Sequence, residues 1–519
     1  MAHPNIEFEL KLIGPAGDIA RLAESPIVKK AMVGAGEYER VTSIYLDSAD
    51  RRLMTAGLSL RLRDEPDSKK LIVKLRERSV DNVARIEIER RFHGRDESFA
   101  TGVADIDRII GAETDDIAPI ARTVADRWAA LLDWRGAIIE ASSELGRVER
   151  LGGPDGAENA AAPLAEIEIE LLKGDAANVF DLVRQLMAES GFRFRVTTES
   201  KLERALRAGG PAIRKKLARP AAEGASSAEL LSASLRVSAT EALAAAEMMV
   251  DYQDEDAARR FRVSLRRFRA VECAFRRAHQ SDWLKSLARD ARDLARLVGA
   301  ARDLDLFMTK TLPGAEASGA VEGVALLREK VERDRAEAWR RVVIALTGET
   351  YSAFSVEFLR AGYAEPWRAD APGRLLAPAR LYADILLDNR WRKLSAFASE
   401  LDFSDIEGLH RLRIQLKKFR YAAQVFRDLY PREERKPFFK SMSALQQKLG
   451  ELNDASVASR TASHLAEGLG PQAARAAGFI AGAKSVEASI AAEAVSDLWS
   501  ALTEFTPYWL VESPPVIEP

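Results

Sequence analysis

Between residues 6 and 172, apolar residues alternate with charged residues, and several of the charged runs carry a single sign. Successive side chains of a β-strand point to opposite faces, so this period of two predicts strands with one apolar and one charged face. Glu7 and Glu9 form an acidic face, whereas Arg61 and Arg63 form a basic one. Like charges this close repel each other unless a facing strand or a ligand compensates them. A closed sheet would place the charged faces inside, where strands of opposite sign can compensate one another, and helices would cover the apolar outer faces.

The chain changes character after residues 207–227, a segment rich in alanine, glycine and proline that we interpret as a linker. Beyond it the alternation stops, and Ala-, Leu- and Arg-rich stretches with a period near 3.6 predict helices as far as Trp509. A prior of roughly 100–200 residues per domain favours two to four domains. The sequence therefore predicts an α+β organisation, with a strand-rich domain at 1–206 and an all-helical domain at 228–511.

The helical part contains an internal repeat, because two of its segments match at a constant offset. The matching positions are Arg259, Arg262, Arg266 and Arg269 in the first copy, and His410, Arg413, Lys417 and Arg420 in the second. Their spacing of i, i+3, i+7, i+10 places each set on one helix face. Phe261, Leu265 and Phe268 supply a separate apolar face. Two such basic stripes brought together would suit a linear polyanion, because arginine binds phosphate oxygens bidentately.

Composition narrows the classes of partner and compartment. Charged residues make up 30% of the chain, but the net charge is only -2, so bulk charge gives no argument for nucleic acid. Cys273 is the single cysteine, which excludes a disulfide within the chain and favours a reducing compartment. The N-terminus lacks an apolar signal core, and no stretch approaches the roughly 18 apolar residues of a membrane span. We therefore expect a cytoplasmic protein with no membrane partner and no specific nucleic-acid partner.

The charged residues of positions 1–205 resemble, in order and spacing, the CYTH family, also called triphosphate tunnel metalloenzymes. The resemblance begins with the E-x-E-x-K strand of Glu7, Glu9 and Lys11. It continues through Arg61, Arg63, Lys74, Arg76, Arg85, Glu87, Arg122, Arg127, Glu140, Glu144, Glu166, Glu168, Glu170 and Lys201. It implies an eight-stranded antiparallel tunnel with flanking helices, in which basic residues hold a triphosphate and carboxylates hold Mg²⁺ or Mn²⁺.

The resemblance assigns roles position by position. It implies that the metal ligands are Glu7, Glu9, Glu144, Glu168 and Glu170. It implies that the substrate is bound by Lys11, Arg61, Arg63, Lys74, Arg76, Arg85, Arg122 and Lys201, with Glu7, Glu9, Lys11 and Lys74 as the catalytic set. Glu144 stands where the family often has aspartate, which keeps the charge and lengthens the arm. Glu166 is left with two alternatives, a metal ligand or the outermost charge of the tunnel.

The helical part resembles the CHAD family, which is associated with polyphosphate. The match is carried by residues 409–421 and 449–454 of the second copy. The first copy has Arg259 where the family usually has its first histidine, which disfavours a metal or proton-transfer role for a histidine pair but preserves anion binding. The resemblance implies two pseudo-repeated helical bundles whose eight stripe residues bind polyphosphate.

Three functions follow from these resemblances. The leading one is a metal-dependent inorganic triphosphatase or short-chain polyphosphatase, using Mg²⁺ or Mn²⁺, with a helical domain that binds polyphosphate. The second is a non-catalytic polyphosphate-binding scaffold, associated with polyphosphate granules. The third is a CYTH-type adenylate cyclase or thiamine triphosphatase, for which the sequence shows no recognisable base- or ring-binding pocket. A homodimer is one possible assembly.

Overall fold

The computed structural model describes residues 5–65, 68–76, 83–92, 98–111, 116–152, 159–189, 192–207, 224–251, 256–318, 322–371 and 373–510. Most of the linker predicted at 207–227 lies outside these residues, as does the end of the chain beyond 510.

Nine antiparallel strands form one sheet in the N-terminal part of the described chain. They are β1 (Asn5–Ile13), β2 (Glu37–Asp47), β3 (Leu58–Asp64), β4 (Lys69–Leu75), β5 (Ala84–Phe92), β6 (Ala118–Trp134), β7 (Ala137–Arg150), β8 (Ala160–Lys173) and β9 (Arg195–Thr197). The order β5-β4-β3-β2-β6-β7-β8-β1, with β5 pairing back onto β1, closes eight strands into a barrel. The short β9 pairs with the last residues of β1. The prediction of an eight-stranded antiparallel tunnel is therefore confirmed.

Alternation along each strand decides which side chains the barrel encloses. On β1, Glu7 and Glu9 line the interior and are each 3% exposed, whereas Leu10 and Leu12 are fully buried on the outer face. The same alternation places Arg61 and Arg63 of β3, and Lys70 and Lys74 of β4, inside. The charged faces seen in the sequence therefore face one another across the barrel.

Short helices surround the barrel. They are α1 (Ala16–Ala20), α2 (Pro26–Ala31), α3 (Arg52–Thr55), α4 (Ala104–Ile110), α5 (Ala176–Ala188) and α6 (Lys201–Arg207), with a 3-10 turn at Arg21–Glu24. Ile106 and Ile110 of α4 pack with Leu60, Val73 and Ile88 from the outer faces of β3, β4 and β5. This apolar layer keeps the outer faces of those strands away from water.

Helix α6 fills one end of the barrel. Its residues Leu202 and Ala205 pack in one buried cluster with Tyr45, Ala125 and Val148 from the strands. This end of the barrel is therefore partly filled, with a small cavity beside α6, and the larger charged cavity occupies the remaining length.

The rest of the described chain is helical, as the sequence predicts. The helices are α7 (Ser227–Asp251), α8 (Ala257–His279), α9 (Asp282–Leu306), α10 (Leu312–Ala317), α11 (Val324–Thr347), α12 (Glu349–Tyr363), α13 (Ala379–Ser399), α14 (Ile406–Val425), α15 (Arg432–Ala466), α16 (Pro471–Glu493) and α17 (Val495–Thr503). A π-helical turn covers Phe307–Thr311, and 3-10 turns cover Pro366–Asp370, Gly373–Leu376 and Arg427–Leu429. Among the described helices, none is individually long and apolar enough to cross a membrane, although α11 and α12 taken as a bent pair meet that criterion by length and composition.

The described chain forms two compact units whose limits do not follow the sequence order. The first unit contains the barrel and α1–α6, together with α12 and the part of α7 from Leu235. The second contains α8–α10, most of α11, and α13–α17.

The internal repeat appears in the second unit as helices α8 and α14, which pack against each other. Phe275 and Phe426 hold equivalent positions in the two copies, and their rings meet edge to face at 5.4 Å between centroids. The predicted apolar faces are buried, with Phe261 and Leu265 on α8 and Leu412 on α14 fully inaccessible. The two basic stripes therefore lie on neighbouring helices.

Gly146 on β7 supports a testable prediction about barrel closure. A Cβ atom at this position would overlap the carbonyl oxygen of Val124 and lie 2.6 Å from the Cα atom of Ala125, both on the neighbouring strand β6. We expect Gly146→Ala to separate the two strands and to lower the free energy of unfolding by about 1–3 kcal/mol. Gly17→Ala on α1 is the matched control, because nothing lies within 4 Å of a Cβ atom there. Denaturant unfolding followed by circular dichroism measures both, and equal stability of the two variants would contradict the prediction.

Candidate metal and phosphate sites

The barrel encloses a cavity of about 500 Å³ in which most lining side chains are charged. The charged residues that line it are Glu7, Glu9, Arg61, Arg63, Lys70, Lys74, Glu87, Glu89, Arg127, Glu140, Glu144, Glu168, Glu170 and Lys201. A smaller adjoining cavity near α6 is lined by Lys11, Arg61, Lys74, Arg76, Arg85 and Lys201, among others. The barrel therefore brings together nearly all of the residues that the sequence analysis singled out in this half.

Three carboxylates converge on one point of the cavity wall. One carboxylate oxygen from each of Glu7, Glu87 and Glu170 lies within 4.8 Å of the other two. They come from β1, β5 and β8, and β1 pairs with both of the other strands. Burial, followed by the negative charges of Glu7 and Glu9, raises the pKa of Glu170 to about 8. Burial and the neighbouring carboxylates thus both favour the neutral form of Glu170.

This donor set fits a divalent metal ion. Hard cations such as Mg²⁺ prefer carboxylate oxygens, and a bound cation would remove the repulsion that raises the pKa of Glu170. Glu7 and Glu170 are among the metal ligands predicted from the sequence, whereas Glu87 is not. The alternation Arg85-Ile-Glu87-Ile-Glu89 was the available signal, because it places Glu87 on the same strand face as Arg85.

Lys74 joins this acidic group to the basic side of the cavity. Its Nζ atom donates to Glu7 Oε1 at 2.7 Å and lies 3.2 Å from Glu87 Oε1. Arg85 also reaches the group, since its Nη2 atom lies 3.3 Å from Glu7 Oε2 and 3.2 Å from Glu9 Oε2. Despite burial, the charges of Arg85 and Lys74 keep the pKa of Glu7 below its usual value.

Two buried lysines, Lys11 and Lys201, form ion pairs with further acidic residues of the barrel. Lys11 Nζ lies 2.5 Å from Glu9 Oε1 and also bonds to Glu168. Lys201 Nζ lies 2.7 Å from Glu144 Oε1 and 3.2 Å from Glu168 Oε1. Burial alone would raise the pKa of Glu168, but Lys11 and Lys201 hold it well below its usual range. Of the five predicted metal ligands, Glu9, Glu144 and Glu168 are ion-paired with Lys11 or Lys201, while Glu170 and Glu7, which is paired with Lys74, belong to the carboxylate group.

Glu166, for which the sequence left two alternatives, is fully buried and paired with cations near α6. Its Oε2 atom accepts a hydrogen bond from Arg204 at 2.8 Å, and its Oε1 atom lies 3.6 Å from Lys11 and 3.7 Å from Lys201. It is not part of the carboxylate group formed by Glu7, Glu87 and Glu170.

Arg63 on β3 and Arg127 on β6, the two strands that flank β2, share one carboxylate of β2. Glu39 Oε1 lies 2.5 Å from Arg63 Nη2 and 3.0 Å from Arg127 Nη1, and Arg127 also bonds to Glu140. Arg76 lies in the adjoining cavity, where its Nη2 atom is 3.1 Å from Glu203.

Arg122, predicted to bind substrate, is not brought into the cavity. It lies on the opposite face of β6 from Arg127 and pairs with Glu149, its cross-strand neighbour on β7, at 2.5 Å. The two arginines are five positions apart, and an odd separation puts two side chains on opposite faces of a strand. Arg127 is the one that lines the cavity, although it was not among the assigned substrate-binding residues.

The predicted basic stripes of α8 and α14 meet around Arg266. Burial lowers the pKa of Arg413, Lys417 and Arg420 on α14, and the charge of Arg266 on α8 lowers each of them further. For Lys417, burial together with Arg413 and Arg266 lowers the pKa to about 8. Positive charge is therefore in excess between the two helices.

The other stripe residues lie around this centre. Arg262 is partly exposed, 3.9 Å from Asp303, and Arg259 and His410 are exposed in the first turns of their helices. Arg269 lines a cavity of about 500 Å³ together with Arg266, and Arg276, Arg292, Lys393 and Lys418 are among its other cations. These cations extend the basic surface beyond the eight predicted residues.

Family models match the strand-rich part and the helical part of the chain separately. A family model of the CYTH domain matches residues 5–206, and one of the CHAD domain matches residues 233–463. Among curated proteins, no significant match was found. The CYTH match covers the barrel and α1–α6, and the CHAD match includes both copies of the helical repeat.

Three solved structures that are similar to this chain each match about one half of it. The CHAD domain of the plant Ricinus communis is 24% identical, with a TM-score of 0.49, over 57% of this chain and 97% of its own. A putative adenylate cyclase from Bacillus halodurans is 16% identical, with a TM-score of 0.28, over 39% of this chain and 97% of its own. A putative adenylyl cyclase from Hippeastrum, described as having a dominant triphosphatase activity, is 17% identical, with a TM-score of 0.26, over 40% of this chain and 95% of its own.

The closed barrel and its charged interior have the fold of the triphosphate tunnel metalloenzymes, a class whose CYTH domains depend on metal ions. The chain joins such a domain to a CHAD domain, and it is a CYTH–CHAD protein.

The carboxylate group formed by Glu7, Glu87 and Glu170 supports a prediction that distinguishes it from the acids paired with Lys11 and Lys201. We expect Mg²⁺ or Mn²⁺ to raise the thermal midpoint above that in EDTA, because a ligand at about 100 times its Kd adds about 2.7 kcal/mol to stability. Glu87→Gln and Glu170→Gln should lose most of this increase. Glu144→Gln is the matched control and should retain it, because Glu144 pairs with Lys201. Loss of the metal-induced shift in Glu144→Gln, but not in Glu87→Gln, would overturn the assignment.

Proposed function

We propose that the chain is a metal-dependent hydrolase of inorganic triphosphate and short polyphosphate, with a CHAD domain that binds polyphosphate. The observation that carries the proposal is the group of Glu7, Glu87 and Glu170 in a cavity that also contains Arg61 and Arg63. Phosphoryl transfer depends mainly on positioning and on neutralising the charge of the phosphate oxygens. A cavity that combines a carboxylate group with arginines and lysines offers both.

The chain's own residues would hold the substrate across the cavity. Arg61, Arg63 and Arg127 lie on strands β3 and β6, and each guanidinium can bind phosphate oxygens bidentately. A triphosphate would compete with Glu39 for Arg63 and Arg127, since that carboxylate contacts both. Lys74, in contact with the carboxylate group, would bind the phosphate oxygens nearest to it.

Glu7, Glu87 and Glu170 would hold a divalent ion, which would neutralise phosphate oxygens and lower the pKa of the attacking water. The apolar residues around Leu202 and Ala205 of α6 fill part of that end of the barrel and leave less room there for water. Charge interactions within the cavity are therefore screened less than they would be in bulk water.

The cavity lining favours an inorganic substrate over a nucleotide or thiamine triphosphate. Among the described residues lining the large cavity, Val41 and Leu172 are the apolar ones, and none is aromatic. Recognition of a base or ring generally uses apolar and aromatic surfaces together with a few polar groups. A cyclase or thiamine triphosphatase would need such a surface elsewhere.

The second candidate is a scaffold that binds polyphosphate without hydrolysing it. The excess positive charge around Arg266 and Lys417 would serve this function equally well. The carboxylate group argues against it, because clustered carboxylates weaken the binding of anions unless a metal ion neutralises them.

Release of phosphate from inorganic triphosphate, measured with Mg²⁺ or Mn²⁺, tests the proposed activity. The double variant Glu7→Gln/Glu9→Gln should lose at least about 100-fold in kcat, since charge stabilisation inside such a site is typically worth that much. Arg122→Ala is the control and should retain activity, because its guanidinium pairs with Glu149 outside the cavity. If the wild-type protein releases no phosphate but still binds long-chain polyphosphate, the scaffold function replaces the proposal.

Binding of polyphosphate by the CHAD domain should depend on pH through Lys417. The pKa of about 8 means that this ammonium is charged below pH 8 and loses its charge as the pH rises further. We expect the affinity for long-chain polyphosphate to fall by up to about tenfold between pH 7 and pH 9. Fluorescence titration at fixed ionic strength measures it. Lys417→Arg should remove most of this dependence because arginine stays charged, and an unchanged pH profile in that variant would exclude Lys417 as its source.

A further inference from the structure

The segment between β9 and α6 determines where Lys201 lies, and it is buried along its length. Thr197, Thr198, Glu199 and Lys201 are each at most 7% exposed. Ser200 begins the helix: its hydroxyl accepts a hydrogen bond from the backbone nitrogen of Glu203 at 3.2 Å, and Glu203 Oε2 accepts one from the backbone nitrogen of Ser200 at 2.9 Å. This reciprocal capping fixes the first turn of α6. Lys201 is the first residue of that helix, so its ammonium follows any displacement of the segment.

Helix α7 contacts this segment within the first compact unit. Glu247 is 4% exposed, and its Oε1 atom accepts a hydrogen bond from the backbone nitrogen of Thr198 at 3.2 Å. Its carboxylate is also hydrogen-bonded to the Thr197 hydroxyl. One turn further along α7, Asp251 pairs with Arg195 of β9 at 2.7 Å. These two acidic side chains of α7, Glu247 and Asp251, are therefore directed at the chain that leads to Lys201.

A buried carboxylate is costly unless hydrogen bonds and charges satisfy it. Burial raises the pKa of Glu247, while the bond to Thr197 and the charges of Arg195 and Arg207 oppose that increase. The hydrogen bonds made by this carboxylate go to the end of β9, where the strand ladder stops at Thr197. Holding that chain end is the structural effect of Glu247.

We propose that Glu247 is a positioning residue for the tunnel, which acts by holding Thr197 and Thr198 and thereby fixes Lys201 against Glu144 and Glu168. Glu247 lies within the segment that matches the CHAD family, so a residue from that segment completes the geometry of the tunnel. The proposal rests on the proposed function only in taking Lys201 as a ligand of the substrate phosphate.

Steady-state kinetics of the full-length chain with inorganic triphosphate test the effect on binding. Glu247→Ala should raise KM by about tenfold, as expected when one charge-assisted contact is weakened, with a smaller change in kcat. Glu247→Gln should restore a KM near that of the wild type, because the amide oxygen accepts the same hydrogen bonds. Asp251→Ala is the matched control: it removes an ion pair from the same helix but leaves the bond to Thr198, so its KM should stay near the wild-type value. An equal increase in KM for Asp251→Ala would overturn the proposal, because it would attribute the effect to general docking of α7 and not to the bonds of Glu247.

The double variant Glu247→Ala/Lys201→Ala tests whether the effect passes through Lys201. Its KM should equal that of Lys201→Ala alone, because residues that act through one another are not additive. Additive effects would overturn the proposal. Thr197→Val is a second variant: it removes the hydroxyl that bonds to Glu247 and that also accepts a hydrogen bond from the backbone nitrogen of Glu199, and it should change KM in the same direction as Glu247→Ala.

A measurement without substrate separates this proposal from the proposed function. Acylation of the Lys201 amine, followed by mass spectrometry, should be slow in the wild type and about tenfold faster in Glu247→Ala, because local opening becomes easier. Faster acylation combined with no triphosphate hydrolysis by the wild type would leave the positioning role standing and overturn the proposed function. Unchanged acylation in both Glu247→Ala and Thr197→Val would overturn the positioning role.

Discussion

The structure depends on neutralising the charges that the closed barrel brings together. Closing the sheet places charged side chains from seven of its strands inside, where solvent screens them little. Lys11 and Lys201 each contact several carboxylates, and Glu144, Glu166 and Glu168 would repel one another without them. Strands that carry charges of a single sign are thus compatible with folding, because strands of opposite sign, together with Lys201 and Arg204 of α6, neutralise them.

Among the groups whose pKa is shifted toward the neutral form, Glu170 and Lys417 lie in the two candidate ligand sites. In the barrel, the pKa of Glu170 is raised by burial and by neighbouring carboxylates, which marks an excess of negative charge. Between α8 and α14, the pKa of Lys417 is lowered by burial and by neighbouring arginines, which marks an excess of positive charge. A group shifted toward its neutral form by its own sign of charge indicates that a counter-ion is missing. The first excess favours a cation and the second a polyanion, in agreement with the chemistry proposed for each domain.

Strand alternation was sufficient to predict the barrel and which acids and bases lie inside it, but not how they pair. Whether Glu9 or Glu87 joins Glu7 and Glu170 depends on the register of β1 with β5 and β8, which no periodicity contains. The choice between Arg122 and Arg127 fails for a related reason. Strand β6 carries alanine and other small or apolar residues on both faces, so its pattern does not reveal which face is inside. Helices were predictable because their period and the repeat persist over many residues.

The contacts that hold α6 in place show why the two domains recognised in the sequence differ from the two compact units of the structure. An isolated helix shorter than about 12 residues is marginal in water, so α6 requires tertiary contacts on more than one side. The barrel supplies one set through Tyr45 and Val148, which pack around Leu202. The other contact comes from Glu247, on a helix that lies beyond the end of the CYTH match. A boundary drawn after α6 therefore separates Lys201 from a group that holds its chain in place, and the physical unit of the tunnel includes residues that the sequence assigns to the following domain.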